Sequence, residues 1–286
     1  VTRIAHLSDF HYDGSDEVRA ALDRLIDVAL DGAPDLVVVT GDLSAGGRPA
    51  ELEAVAAALA RFGNTPRVVM PGNRDLVPSS GPPGEARSLP LDSDLDYFLL
   101  LEPALGFGFD EADGGAVEAG GPEAAFEARF GSLEPRYSDP GVHVVTANST
   151  PRLRSASLER AARLMRRAAP GALRVFAIHH GLLPVPGRKL RDGDLSHRAG
   201  DVLALLADLE VDLALHGHVH RAHAWEVASG RHRLVVASAG ALVNDGRRDA
   251  SFNEVLVADG RLEVWRRSVA TGRSTLLFES NRESRH

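Results

Sequence analysis

Apolar residues run almost without interruption over residues 3–7, 36–40 and 67–70, and between these runs they recur at helical spacing. Val18, Leu22, Leu25, Ile26 and Ala29 mark one face of a first helix; Leu52, Val55, Ala56, Leu59 and Phe62 mark one face of a second. Apolar runs without polar alternation belong to strands covered on both faces, as in parallel sheets. Residues 1–75 are therefore expected to run strand-helix-strand-helix-strand, the start of a parallel sheet wrapped by helices.

The rhythm stops at Pro78, where a stretch rich in Pro, Gly and Ser begins. That stretch and the Gly114-Gly115 pair bracket an apolar patch from Tyr97 to Phe109. We expect a single domain over 1–286 with a substrate-facing insertion at about 78–140. The patch at Tyr97, Phe98, Leu99, Leu100 and Leu101 suits either core or the lining of an acyl-chain or nucleobase pocket. Strands resume at 142–147 and 174–178, separated by a helix carrying Leu158, Ala161, Ala162 and Met165. Val202, Leu205, Leu206 and Leu209 form another helix before a strand at 213–216. Beyond Ala222, short β-rich runs at 234–237, 254–257 and 262–264 follow one another without helices. They either form a second antiparallel sheet or extend the first.

Composition narrows what such a chain does. With 286 residues and 44% hydrophobic content there is ample core for independent folding. A net charge of -8 argues against a general nucleic-acid surface, which needs a basic stripe to release counterions. The chain has no cysteine, so a metal site must use His, Asp, Glu or Asn. No apolar run approaches the roughly 20 residues that span a bilayer, and the chain enters a strand at once without a signal-peptide pattern. A transmembrane segment is not expected, and a cytoplasmic location is.

The chemistry sits at the ends of the apolar runs. Asp9-Phe10-His11 ends the first, Gly41-Asp42 the second, Gly72-Asn73-Arg74-Asp75 the third, His179-His180 a later one, and His216-Gly217-His218-Val219-His220 the last. Open α/β sheets place ligand sites just beyond the carboxyl ends of their strands. Asp9, His11, Asp42, Asn73, His179, His218 and His220 are thus candidate ligands aimed at one place. They are too many for one tetrahedral ion and suit two ions sharing a carboxylate. Mixed carboxylate and imidazole favour Mn, Fe, Zn or Co over Ca or Mg.

The order D-x-H, GD, GN-x-D, H and GHxH resembles the calcineurin-like metallophosphoesterase superfamily, which includes purple acid phosphatases, cyclic-nucleotide phosphodiesterases and nucleases. The resemblance spans Asp9 to His220. It implies an α/β fold, a two-layer β-sandwich flanked by helices, with a dinuclear site at the strand ends. It further implies one ion on Asp9, His11, Asp42 and His220 and another on Asp42, Asn73, His179 and His218, with Asp42 bridging. Two divalent ions, Mn foremost, would turn a shared water into hydroxide for attack on phosphorus.

Two positions depart from the family pattern. The third motif usually carries a His where this chain has Arg74. A guanidinium cannot act as general acid but can clamp a phosphate. An Asn-Arg-Asp third motif also resembles the enzymes that cleave UDP-diacylglucosamine, so leaving groups that need little protonation are expected. Arg74 pairing with Asp75 to brace the loop is the competing account. Gly181 stands where relatives often carry Pro after the His pair. Asn73, Arg74 and His180 are the residues expected to act in catalysis, although His180 also fits a packed ring or a support for its neighbours. His216 and His223 read as structural. Arg188, Lys189, Arg191 and His197 suit either steering of an anion or a solvated loop.

The expected function is hydrolysis of a phosphodiester or nucleotide pyrophosphate, on a small phosphorylated substrate such as a nucleotide or nucleotide-linked lipid. The alternatives are a phosphomonoesterase, a nuclease, or a non-catalytic metal-binding scaffold. The complete ligand set favours the enzyme.

Overall fold

The computed structural model describes residues 1–76, 121–242 and 250–281. In chain order it contains β1 (Thr2–Leu7), α1 (Asp16–Asp31), β2 (Leu36–Thr40), α2 (Pro49–Ala60) and β3 (Arg67–Met70). Next come α3 (Pro122–Phe130), β4 (Arg136–Ser138), β5 (Val142–Thr146), α4 (Ser155–Met165), β6 (Leu173–Ala177), α5 (Ala199–Asp208) and β7 (Leu213–His216). The chain closes with β8 (His223–Ser229), β9 (His232–Ser238), β10 (Ser251–Ala258), β11 (Arg261–Ser268) and β12 (Ser274–Asn281).

The strands form two six-stranded sheets, ordered β12-β11-β10-β1-β2-β3 and β4-β5-β6-β7-β9-β8. Strand side chains alternate between faces, and the core divides accordingly. From the first sheet, Ile4, Leu36, Val38, Val68 and Met70 meet Val144, Val175, Ala177, Leu213 and Leu215 of the second. The opposite face, with Ala5, Leu7, Val37 and Val39, is covered by Leu25 and Ile26 of α1 and Leu52 and Leu59 of α2. Val145, Phe176, Ala214 and Val236 are covered by Leu158 and Met165 of α4 and Val202 and Leu206 of α5. The result is a two-layer sandwich flanked by helices, as expected. Strands covered on both faces bury every residue in β2, β5 and β7, which explains their unbroken apolar runs.

The tail extends both sheets, so the second of the two expected arrangements holds for β10–β12, and no separate antiparallel sheet forms among the described residues. β8 and β9 pair antiparallel and join the second sheet through β7 and β9, while β10–β12 extend the first beside β1. Asp259 and Gly260, with φ of 51° and 74°, make the tight turn between β10 and β11.

Residues 78–120 of the expected insertion lie outside the described residues, and the Tyr97–Phe109 patch with them. The remainder is part of the framework. Phe126 of α3 is fully buried in the layer formed by α1 and α2, and Arg136 of β4 pairs with Val145 of β5.

Candidate metal centre

The site forms where β1, β2, β3, β6 and β7 end side by side. Asp9 N–H donates to Gly41 O at 2.9 Å and His11 N–H to Asp42 O at 3.0 Å, so the first two exits run in register. Gly217 N–H donates to His179 O at 3.1 Å, joining the last two. Across the sandwich, His218 N–H donates to both Asp9 oxygens, at 3.1 and 3.0 Å.

The backbone bends sharply to present these side chains. Asp9, His11, Asp42, His218 and His220 have φ of 55°, 47°, 53°, 68° and 52°. L-residues seldom adopt this left-handed region, and such strain concentrates at functional sites. Two glycines allow the close approach. A Cβ on Gly72 would collide with Asp42 and His179, and one on Gly217 with Ser8 and Asp9.

All seven sequence-predicted ligands are brought together. Donor atoms of Asp9, His11, Asp42 and His220 lie within 4.8 Å of one another, as do those of Asp42, His179 and His218. In the first group His11 Nε2 is 2.9 Å from His220 Nε2, and His220 Nε2 is 3.4 Å from Asp9 Oδ1. In the second, His179 Nε2 lies 3.5 Å from Asp42 Oδ1, 2.9 Å from Asn73 Oδ1 and 3.3 Å from His218 Nδ1. Asp42 belongs to both groups.

The electrostatics leave these groups ready to bind cations. Burial holds the His11 imidazole at about 4, with the charge of His220 adding to the effect, and holds His218 well below its ordinary value. Burial also disfavours charge on His220, but the Asp9 carboxylate overrides it and raises that imidazole. For Asp9 burial opposes ionisation, yet the hydrogen bond and charge of His220 keep its carboxyl below the usual range. His179 Nδ1 sits 2.7 Å from Thr40 O, so this nitrogen carries the proton and Nε2 offers its lone pair. Buried carboxylates beside the lowered His11 and His218 imidazoles favour bound positive charge. The donor set fits a dinuclear divalent metal site.

The neighbouring predicted residues take distinct places. Arg74 donates its backbone N–H to Asp42 Oδ1 at 2.8 Å, and its half-buried guanidinium contributes, last among several causes, to the lowered pKa of His11. Asp75 braces the loop by itself. Its buried carboxylate accepts Leu43 N–H at 3.1 Å, Ser44 N–H at 2.9 Å, Ser44 Oγ at 2.8 Å and Gly72 N–H at 2.9 Å. Burial and the charge of Asp42 push it up to about 6.

His180 is buried, with its ring centroid 4.6 Å from that of His218. Its Nδ1 lies 2.7 Å from Ser149 Oγ, which also accepts the His180 backbone N–H at 3.3 Å. Burial and the nearby His179 hold His180 at about 3. Ser149 was not singled out in the sequence, although the polar run Asn148-Ser149-Thr150 after an apolar strand is the same signal that marked the ligands.

Arg188 is anchored, not solvated. Its Nη2 donates to Asp194 Oδ1 at 2.9 Å, and Asp194 O accepts Gly181 N–H at 3.1 Å beside the His pair. Lys189 and His197 are exposed. His216 is fully buried and stacks on Trp225 at 6.2 Å, and His223 packs on the same ring at 4.5 Å.

None of the described helices is long and apolar enough to cross a membrane. Residues 2–222 match the family model described as calcineurin-like phosphoesterase. No curated protein sequence matches at a significant level. The fold is similar to that of a purple acid phosphatase from yellow lupin (Lupinus luteus) seeds, with TM-score 0.65 and 15% identity, covering 99% of this chain and 54% of that one. This chain therefore spans about half the length of the lupin protein. It is also similar to a dimetal phosphatase from Danio rerio, with TM-score 0.62 and 12% identity over 98% of this chain and 99% of that one. GAP50, the anchor in the inner membrane complex of Plasmodium, gives TM-score 0.56 and 14% identity over 100% and 89% of the two chains. At these identities the structures share a fold. With most of its length matched by the family model, the chain belongs to the calcineurin-like phosphoesterases.

Proposed function

We propose that this phosphoesterase cleaves diester or pyrophosphate bonds in a small nucleotide or nucleotide-linked lipid. Asp9, His11, Asp42 and His220 would hold one ion, and Asp42, Asn73, His179 and His218 the other, with manganese preferred. Bound there, two divalent ions supply Lewis-acid stabilisation of a phosphoryl oxygen and an activated water.

The carrying observation is the third motif. Arg74 gives its backbone amide to Asp42 Oδ1, and its guanidinium charge is felt by His11, so a cationic side chain stands near the metal ligands. It binds phosphate oxygens through a bidentate fork and delivers no proton to a leaving group. Nor is His180 suited to that task. Burial holds its imidazole at about 3, so the ring carries no extra proton to give at neutral pH, and its Nδ1 is engaged by Ser149 Oγ at 2.7 Å. Leaving groups that depart as stabilised anions are therefore favoured, and alkyl phosphate monoesters are disfavoured.

The test compares bis(p-nitrophenyl) phosphate with p-nitrophenyl phosphate, using metal-stripped protein before and after Mn²⁺ is returned. Faster metal-dependent cleavage of the diester is expected. Preference for the monoester would overturn the reading of Arg74 and make the chain a phosphomonoesterase.

A further inference from the structure

A second cluster of chemistry lies away from the metal ligands, on the outer side of the second sheet. Arg136 of β4, Arg160 and Arg163 of α4, and Arg167 in the turn after α4 line a cavity of about 390 Å³, together with Leu164. That volume lies in the range of small-molecule sites. We propose that this cavity is an anion site, separate from the metal centre, for a compact compound bearing two or more phosphate groups.

The charge balance carries the inference. Arg160 is the one arginine of the four with a carboxylate, its Nη1 lying 3.4 Å from Glu134 Oε2. Glu134 is then fully used, because its Oε1 accepts Asn148 N–H at 2.9 Å. Among the described residues, Arg136, Arg163 and Arg167 make no ion pair, and all three are exposed at the cavity. Like charges brought to one place in a chain of net charge -8 repel, and an anion relieves that repulsion. The buried His143 ring lies against the lining, its Nε2 3.0 Å from Leu164 O; burial chiefly, and then Arg136 and Arg174, lower its pKa.

Helix electrostatics do not account for the arrangement. The dipole of α4 favours Arg163 in its last turn, but Arg136 arrives from a strand. Guanidinium groups from different elements meet phosphate oxygens in paired hydrogen bonds, which lysines do not reproduce. The lining contains no aromatic ring, so the site recognises phosphate and offers no platform for a base.

The experiment is calorimetric titration of the metal-loaded full chain with imidodiphosphate, a diphosphate whose P–N–P bridge resists hydrolysis, against Arg163→Gln/Arg167→Gln. Wild type should bind one equivalent more than the variant, or bind that equivalent at least tenfold more tightly. Hydrolysis of bis(p-nitrophenyl) phosphate should be unchanged. Equal stoichiometry and affinity in both proteins would exclude a soluble anion from the cavity, whatever happens at the metal centre. Lipid headgroups with several phosphates share this chemistry, so the same pair is sedimented with phosphatidylcholine vesicles containing phosphatidylinositol bisphosphate. Arginine-dependent sedimentation without imidodiphosphate binding would assign the site to a headgroup, and the converse to a soluble anion. Absence of both would refute it.

Discussion

Asp42 directs its two carboxylate oxygens at different histidines: Oδ2 lies 3.8 Å from His11 Nε2, and Oδ1 lies 3.5 Å from His179 Nε2. One side chain thereby joins the two ligand groups, and the fold keeps it in place through a left-handed backbone and the neighbouring glycine at 72.

Replacing Asp42 by Asn keeps the shape and removes the shared charge. Asp42→Asn should lower turnover by at least about 100-fold, since loss of even an outer partner of a ligand costs about 10–100-fold. His218→Ala should do the same, and both should retain the wild-type circular dichroism spectrum. Either variant with normal turnover and normal metal content would remove that residue from the assignment.

Arg74 supplies a second test. Arg74→His introduces a group that can donate a proton, so the ratio of p-nitrophenyl phosphate to bis(p-nitrophenyl) phosphate cleavage should rise about tenfold or more. An unchanged ratio would discard the proposed link between this arginine and the leaving group.

Asp75 stabilises the fold beneath the site. Asp75→Ala strands the backbone donors of Gly72, Leu43 and Ser44, which are buried. The expected cost is about 3 kcal/mol or more, read as a lower denaturation midpoint in urea. A midpoint within error of wild type would mean that other groups brace this loop.

Asp139 makes acid stability predictable. Burial raises its pKa, but hydrogen bonds from Tyr137 Oη and the Val142 and Gly141 N–H groups outweigh it, leaving the carboxyl below its ordinary value. A depressed folded pKa contributes stability that is fully present above the unfolded value of about 3.9 and is lost as pH falls through the folded one. Asp139→Asn should therefore lower the melting temperature at pH 7, with the gap to wild type closing below about pH 4. A gap independent of pH would contradict this account.

What the sequence revealed follows from burial. β2 and β3 lie within the parallel part of the first sheet, so LVVVT and RVVM showed their limits as apolar runs. The ligands were legible because each stands directly after such a run. β8 has a single buried residue, Ala224, and its other positions include His223, Trp225 and Glu226, which disguises its alternation. In α3 only Phe126 is buried, too little to establish a helical period. Asp75, Ser149 and Arg188 owe their roles to partners that only the folded chain brings near. The cavity at Arg136, Arg160, Arg163 and Arg167 likewise joins a strand and a helix separated in sequence.

The central claim is a pair of ions bridged by Asp42. Crystals of the Mn²⁺-loaded protein, with anomalous scattering measured at the manganese edge, test it most directly. The account predicts two peaks flanking the Asp42 carboxylate, one beside His11 and His220 and the other beside His179 and His218. A single peak, or ions bound away from Asp42, would contradict it.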